Sequence, residues 1–171
     1  MLSKKVSGAD NQQAKKDGRI SEEYLAGFVD GEGCFYVGFS KRNDLPLKWQ
    51  IITEFHVSQN PGGLKILEAL RVKVGCGYLK PNHPKSARDK TWVLVIKDRK
   101  ELREKLVPFF EKHPLYSQKW QEFLVFRKTL KLIEEKRHLT QKGFKEIVNL
   151  VFSLPRITNK RYSKEVLLSF F

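Results

Sequence analysis

The sequence predicts an α+β fold in which pairs of antiparallel strands alternate with helices. Residues 34–42 and 47–58 alternate apolar and polar side chains, as half-buried strands do, and the turn-forming sequence 43–46 joins them into a hairpin. Residues 61–73 and 117–133 instead repeat their apolar side chains with the period of a helix. Together with the shorter patterns between them, these segments predict an opening order of αββαββ.

The chain is long enough to form one domain with a core, since it has 171 residues of which 40% are hydrophobic. We expect residues 20–171 to form that domain and residues 1–19, which are polar and basic, to be a flexible arm. No stretch approaches the ~18 apolar residues of a membrane-spanning helix, and the arm lacks the apolar region of a signal peptide. We therefore expect an intracellular protein that is not secreted and has no membrane partner.

The charge of the chain indicates a polyanionic partner. Its 33 Lys and Arg residues against 19 Asp and Glu residues give a formal net charge of +14, spread along the sequence. Nucleic acid is the partner that this balance favours. Cys34 and Cys76 lack the spacing of a zinc site or a disulfide scaffold, which fits a reducing compartment.

The first helix is predicted to begin after Ser21, a good N-cap residue. Gly27 and Gly31 lie one helical turn apart, so they form a small-residue face that a second backbone can approach closely. Asp30 and Glu32 fall at the C-terminal end, where the helix dipole does not favour negative charge. Two interpretations stay open from the residues alone: a bound cation, or an ordinary turn with solvated acids.

The predicted hairpin has one apolar face, which includes Phe35, Val37, Trp49 and Ile51, and one polar face. The polar face has the donors and acceptors needed to read base edges in a DNA major groove, although a plain solvated sheet face would look similar. Its residues are Tyr36, Gly38, Ser40, Arg42, Lys48, Gln50, Ile52, Glu54 and His56.

A second helix and a second strand pair follow. Asn60 and Pro61 begin the helix, and strands are predicted at 78–80 and 91–96. The loop 81–90 between these strands is basic. From this pair and its loop we expect further nucleic-acid contacts from Lys80, Asn82, Arg88 and Lys90.

The remaining sequence predicts helices with apolar core stripes. They begin near Asp98, Ser117, Thr140 and Ser163, all good capping residues. Pro108 is predicted to kink the first of them.

The block from Tyr24 to Gly33, Tyr-Leu-Ala-Gly-Phe-Val-Asp-Gly-Glu-Gly, resembles along its whole length the signature of the LAGLIDADG homing endonucleases. The resemblance covers Ser21 to Ile133, and it implies an αββαββα unit whose saddle-shaped antiparallel sheet lies across DNA, here with extra C-terminal helices. Residues 136–140 with Gly143 and Phe144 also resemble a segment of some members.

The resemblance also implies the catalytic groups. Glu32 would be the metal-binding acid, with the carbonyl of Gly31 beside it, and Gln59 would order the attacking water. Lys119 would stabilise charge in the transition state, with Lys112 as the alternative lysine. The expected cofactor is Mg²⁺; Mn²⁺ would substitute, and Ca²⁺ would support binding without cleavage.

Only one copy of the signature is present, which implies a homodimer. Two copies of the first helix would meet through Ala26, Gly27, Asp30 and Gly31, and Asp30 would steady that helix pair rather than bind metal. A two-fold symmetric protein is expected to prefer a near-palindromic site in double-stranded DNA.

The predicted function is therefore a site-specific, metal-dependent DNA endonuclease that makes double-strand breaks at a long target and is encoded by a mobile intron. An intron maturase that binds intron RNA, or a DNA-binding regulator with the same fold, is the alternative. A basic structural protein would have no need of an acidic turn beside a helix that pairs. The host compartment is expected to be a chloroplast, a mitochondrion or a bacterial cytoplasm.

Overall fold

The computed structural model describes residues 20–154 and 161–169. The predicted arm, 1–19, lies outside the described residues, as do positions 155–160 and 170–171. The helices and strands run in the order α1 (Glu22–Glu32), β1 (Gly33–Lys41), β2 (Trp49–Gln59), α2 (Leu64–Val74), β3 (Tyr78–Pro81), β4 (Trp92–Ile96), α3 (Arg99–Glu101), a π-helical segment (Leu102–Leu106), α4 (Val107–Lys112), α5 (Lys119–Glu134), α6 (Gln141–Phe152) and α7 (Lys164–Leu168).

Helix α1 begins and ends as its sequence predicts. The Ser21 hydroxyl accepts a hydrogen bond from the Tyr24 amide at 3.2 Å, which caps the first turn. At the other end the chain turns directly into β1 at Gly33. A Cβ atom there would lie 2.5 Å from Cγ1 and 2.7 Å from the carbonyl oxygen of Val29, so only glycine fits this turn. The acidic end of α1 is thus fixed against the first strand.

The sheet has the strand order β1-β2-β4-β3, and all its pairings are antiparallel. The first hairpin pairs Gly33 with Val57 and Lys41 with Trp49. Strand β2 starts later than the predicted residue 47, because Lys48 adopts a positive φ of 61° and its carbonyl closes the turn onto the Arg42 amide at 2.8 Å. The predicted αββαββ order is confirmed.

Phe35 lies at the centre of the core that joins the sheet to the helices. It is fully buried, and its ring centroid lies 5.2–5.5 Å from those of Phe55, Phe110, Phe123 and Phe126. The predicted inward face of the hairpin is therefore confirmed. We expect Phe35→Ala to lower the free energy of unfolding by about 3–5 kcal/mol, as for other large-to-small core changes, in a urea titration followed by circular dichroism. A loss below about 1 kcal/mol would contradict this assignment.

The helices differ from prediction in their details. Pro108 does not simply kink a continuous α-helix: the turn before it widens into the π-helical segment, which accommodates a residue without an amide hydrogen. Helix α5 starts at Lys119, while Ser117 serves as a cap whose hydroxyl accepts from the Lys119 amide at 3.0 Å.

The C-terminal helices form core stripes, as predicted. Thr140 and Ser163 cap α6 and α7, and Phe144, Ile147 and Val148 are fully buried. In the described ranges, no helix combines the length and the apolar character that a membrane crossing requires.

Candidate functional site

The sheet has one face against the helices and one open face, and the predicted contact residues within the strands lie on the open face. Lys48 lies in the turn before β2, where its ammonium group donates to the Asn43 carbonyl at 2.7 Å. The strand register sets Ser40 opposite Gln50, Gly38 opposite Ile52, Tyr36 opposite Glu54 and Cys34 opposite His56. The same face continues across β4 and β3 through Ser58, Val93 and Lys80. Both strand pairs therefore contribute predicted residues to one side of the sheet, with Val93, which is 4% exposed, between Ser58 and Lys80.

Carboxylates hold two of the basic side chains of this face. Arg42 donates two hydrogen bonds to Asp44, at 2.9 and 2.8 Å, which lower the pKa of that carboxyl to about 2. Lys97 pairs with Glu54 at 2.8 Å. The predicted contact residue Glu54 is therefore paired with a lysine, so the two charges offset each other on the open face. The two hydrogen bonds to Asp44 hold the Arg42 guanidinium in one orientation.

Gly38 is one of the predicted contact residues of this face, and its surroundings are set by its neighbour Tyr36. The Tyr36 ring folds over Gly38, where a Cβ atom would overlap the tyrosine. Gly38 is buried, so the surface at this position is the Tyr36 side chain.

The loop between β3 and β4 is ordered by its own polar groups. Asp89 accepts hydrogen bonds from the amide and the hydroxyl of Thr91 at 2.8 and 2.6 Å, and the Asn82 amide donates to the Thr91 carbonyl at 2.8 Å. Arg88 and Lys90 are exposed at its surface. These hydrogen bonds fix the backbone of the loop that carries the predicted basic residues.

The two acids at the end of α1 have different environments. Asp30 accepts hydrogen bonds from the amides of Tyr116 and Ser117 and from the Ser117 hydroxyl, at 2.6–3.2 Å. Glu32 is exposed, and its carboxylate makes no hydrogen bond or ion pair with any residue that the structure describes. Asp30 is therefore committed to the loop before α5 of its own chain, while Glu32 is available to a ligand.

The other predicted catalytic groups lie at the ends of β2 and α5. Gln59 accepts a hydrogen bond from the Asn60 amide at 2.8 Å. Lys119 forms an ion pair with Glu122 at 2.8 Å. Burial raises the pKa of the thiol of Cys34, the second residue after Glu32, and the nearby charges of Lys119 and Glu122 shift it in opposite directions. Lys112 instead lines a notch of about 230 Å³ beside Gly27 and Asp30. Of the two alternative lysines, Lys119 is the one placed towards the start of β1.

The small-residue face of α1 is open in the chain. A Cβ atom at Gly27 or at Gly31 would meet no heavy atom within 4 Å. Ala26 was predicted to share this face, but it is only 4% exposed and packs into the core of its own chain. The exposed face consists of Glu23, Gly27 and Gly31, flanked by Tyr24, which is 56% exposed.

Sequence reasoning missed Glu122 as a member of this region. Its only signal is the spacing of one helical turn from Lys119, which many solvated ion pairs share. In the structure Glu122 is 5% exposed, unlike the carboxylates of a solvated helix face.

Two histidines predict how the stability of the protein depends on pH. Burial lowers the pKa of His56, beside Glu54 and Lys97, and that of His138 below the ordinary value of 6.5. The unfolded chain therefore binds more protons than the native chain as the pH falls below 6.5, so the free energy of unfolding should decrease. We expect lower stability at pH 5.5 than at pH 7.5 in urea titrations, and a smaller decrease in His56→Gln. Equal stability at both pH values would contradict this.

Comparisons with known proteins agree with this arrangement. The family model for the LAGLIDADG endonuclease matches residues 25–130. A probable intron-encoded endonuclease 3 of Neurospora crassa is 30% identical over 137 residues, which are 80% of this chain and 25% of the relative. The chain thus spans about a quarter of the length of that curated relative.

Solved structures give the same result. The crystal structure of the homing endonuclease I-TnaI has a TM-score of 0.73 and 35% identity over 89% of this chain and 96% of its own. The I-SmaMI LAGLIDADG homing endonuclease bound to cleaved DNA has a TM-score of 0.75 and 31% identity, over 89% of this chain and 48% of its own. The family model and these likenesses, together with the acidic turn between α1 and β1, show that the chain belongs to the LAGLIDADG endonuclease family.

Proposed function

We propose that this chain is a site-specific, metal-dependent DNA endonuclease that makes double-strand breaks at a long, near-palindromic target. The observation that carries the proposal is the division of roles at the end of α1. Asp30 is fully engaged by the loop before α5, whereas Glu32 is exposed and has no partner among the described residues. A carboxylate in this environment can bind a ligand without breaking a contact that stabilises the fold.

The donor atoms at this end fit a hard divalent cation, and Mg²⁺ is the proposed ion. Glu32 offers a carboxylate, and Gly31 lies in the last turn of α1, where backbone carbonyls lack partners within the helix. When bound, the ion would polarise the scissile phosphate and activate water. Within the described ranges, no group of three or more His, Cys, Asp or Glu residues is arranged to hold a metal. Phosphate oxygens of DNA are the remaining ligands that we propose.

The open sheet face is the proposed DNA-binding surface. It combines amide, hydroxyl and imidazole groups for base edges with exposed basic residues for phosphates. Arg42, held by Asp44, and the ordered loop that carries Arg88 and Lys90 are preorganised for this role. The similar I-SmaMI structure is described as bound to cleaved DNA, which supports the same partner for this chain.

Two further groups are proposed around the reacting phosphate. Gln59 lies at the end of β2, where its oxygen accepts from the Asn60 amide and its amide nitrogen has no hydrogen-bond partner among the residues that the structure describes. We assign it to the attacking water. Lys119 is assigned to the negative charge that develops on the phosphate, since a fixed cation near that charge lowers the barrier.

The proposed assembly is a homodimer that meets through the exposed face of α1. One copy covers 48% of the DNA-bound I-SmaMI chain, so two copies match its length. The open space at Gly27 and Gly31 allows two helices to pack closely. Asp30 supports this face indirectly, by fixing the loop beside it.

The test is cleavage of a DNA pool that contains the junction sequences of the host intron, with Mg²⁺ or Ca²⁺. We expect double-strand cuts at one near-palindromic site with Mg²⁺, and binding without cuts with Ca²⁺. Tight binding without cleavage under both conditions would overturn the endonuclease proposal and favour a DNA-binding regulator, or a maturase if intron RNA binds more tightly. The relative from Neurospora crassa is named as intron-encoded, which supports an intron origin for this chain too.

A further inference from the structure

We propose that Glu122 is a positioning residue that holds the Lys119 ammonium group at the reaction site. This inference rests on the proposed function, because it concerns how the proposed catalytic lysine is presented to DNA. Glu122 itself would not touch the DNA.

The burial of both side chains separates this pair from the other ion pairs of residues 20–154 and 161–169. The Lys119 Nζ atom lies 2.8 Å from Glu122 Oε2, and the two side chains are only 18% and 7% exposed. The pairs Lys73–Glu22 and Lys105–Glu101 have side chains that are 36% to 44% exposed. An ion pair shielded from water is screened little by salt, so it fixes its geometry more strongly than an exposed pair.

The Lys119–Glu122 pair has a role in the reaction because of its position at the start of α5. Lys119 is the first residue of α5, and the loop before it is held to Asp30 at the end of α1. Both side chains lie near Cys34, two residues after Glu32: burial raises the pKa of its thiol, and the charges of Lys119 and Glu122 shift it in opposite directions. The backbone of Lys119 is therefore tied to the acidic turn, and its side chain is tied to Glu122.

A lysine needs such a restraint because its four-carbon stem has many rotamers. An ammonium group fixed before the reaction stabilises developing charge without first being ordered, and displacement by about 1 Å can cost about a hundredfold in rate. The opposite role for the same contact is a latch, in which Glu122 withdraws the ammonium group from DNA. The two roles predict opposite changes in rate when the carboxylate is neutralised.

The experiment compares Glu122→Gln, Lys119→Ala and the double variant in single-turnover cleavage of the target with saturating protein and Mg²⁺. DNA affinity is measured separately in Ca²⁺, and melting temperature reports folding. We expect Glu122→Gln to cut about tenfold to a hundredfold more slowly, with affinity within about twofold of the wild type. Because Glu122 acts through Lys119, the double variant should cut no more slowly than Lys119→Ala alone.

Two further variants complete the test. Glu111→Gln breaks the exposed pair with Arg127 at 2.7 Å on another surface of α5, and it should leave the cleavage rate unchanged. Glu122→Asp keeps the charge but shortens its reach, and it should lose less rate than Glu122→Gln. The aspartate variant also keeps a charged partner for Lys119, so it provides the answer if the glutamine variant fails to fold.

The outcomes distinguish a failure of the positioning role of Glu122 from a failure of the proposed endonuclease function. A normal or faster rate in Glu122→Gln, when Lys119→Ala is slow, overturns the positioning role alone, and a faster rate identifies the latch. Additive losses in the double variant also overturn it. A wild type that never cuts DNA would overturn the proposed function and this inference with it.

Discussion

Glu32→Gln should abolish cleavage while leaving DNA binding intact. The carboxylate is exposed and has no partner among the described residues, so its replacement by a neutral amide of the same shape removes no contact that holds the fold. A neutral amide is a poorer ligand for a hard divalent cation than a carboxylate. We expect cleavage in Mg²⁺ to fall by about 10³-fold or more, with DNA affinity in Ca²⁺ within about threefold and an unchanged melting temperature.

Asp30→Asn is the matched control for this variant, because it neutralises the other acid of the same turn. Its carboxylate accepts from two amides and a hydroxyl, so the substitution should weaken the loop before α5 by about 1–2 kcal/mol. We expect a lower melting temperature with cleavage reduced but still measurable. The proposed assignment fails if Asp30→Asn abolishes cleavage at full stability while Glu32→Gln still cuts at the wild-type rate.

The elements themselves could be predicted because they depend on short-range physics. The alternation of Phe35 and Val37 with polar neighbours has only one placement against a helical layer, since a shift by one residue would expose the whole apolar set. Ser21, Thr140 and Ser163 cap helices because their hydroxyls reach an amide one turn away. Such patterns are complete within a few residues of sequence.

The division of roles between Asp30 and Glu32 could not be predicted in this way. Asp30 and Ser117 are 87 positions apart, and nothing local to either residue indicates the contact. The burial of Glu122 and the position of the Tyr36 ring over Gly38 also depend on how elements pack together. The resemblance of the signature implied the metal role for Glu32 and a structural role for Asp30, but only the packing of α1 against the loop before α5 shows the contacts that Asp30 makes.

The proposed DNA-binding face also has a distribution of charge that composition alone would not suggest. With a net charge of +14, the chain still places Asp44 and Glu54 beside basic groups on this face. Asp44 and Glu54 each fix the orientation of one basic side chain, Arg42 and Lys97 respectively, and each slightly reduces the attraction of this face for phosphate. The excess of basic residues provides affinity that is independent of sequence, while oriented side chains such as Arg42 are suited to base contacts.

Gly27→Leu should separate folding from association. The position is exposed, and a Cβ atom there meets nothing within 4 Å, so a side chain can start from this position without a clash in the isolated chain. Leucine is also a better helix former than glycine by about 0.5–1 kcal/mol, so the monomer should be as stable as the wild type or more stable. At a two-fold interface the added bulk occurs twice. At about 1–3 kcal/mol for each overpacked side chain, we expect dimer affinity to fall by roughly 30-fold to 10⁴-fold.

Sedimentation velocity over a range of concentrations checks this expectation, and cleavage is measured on the same samples. The variant should sediment as a folded monomer and should lose double-strand cutting, because one chain supplies one Glu32. Val72→Leu is the control for added bulk on an exposed helix position: Val72 is 68% exposed on α2, and the substitution should change neither association nor cleavage. A Gly27→Leu variant that remains dimeric and cuts both strands would exclude this face of α1 as the interface, since two leucines cannot occupy the space that two glycines leave between closely packed helices.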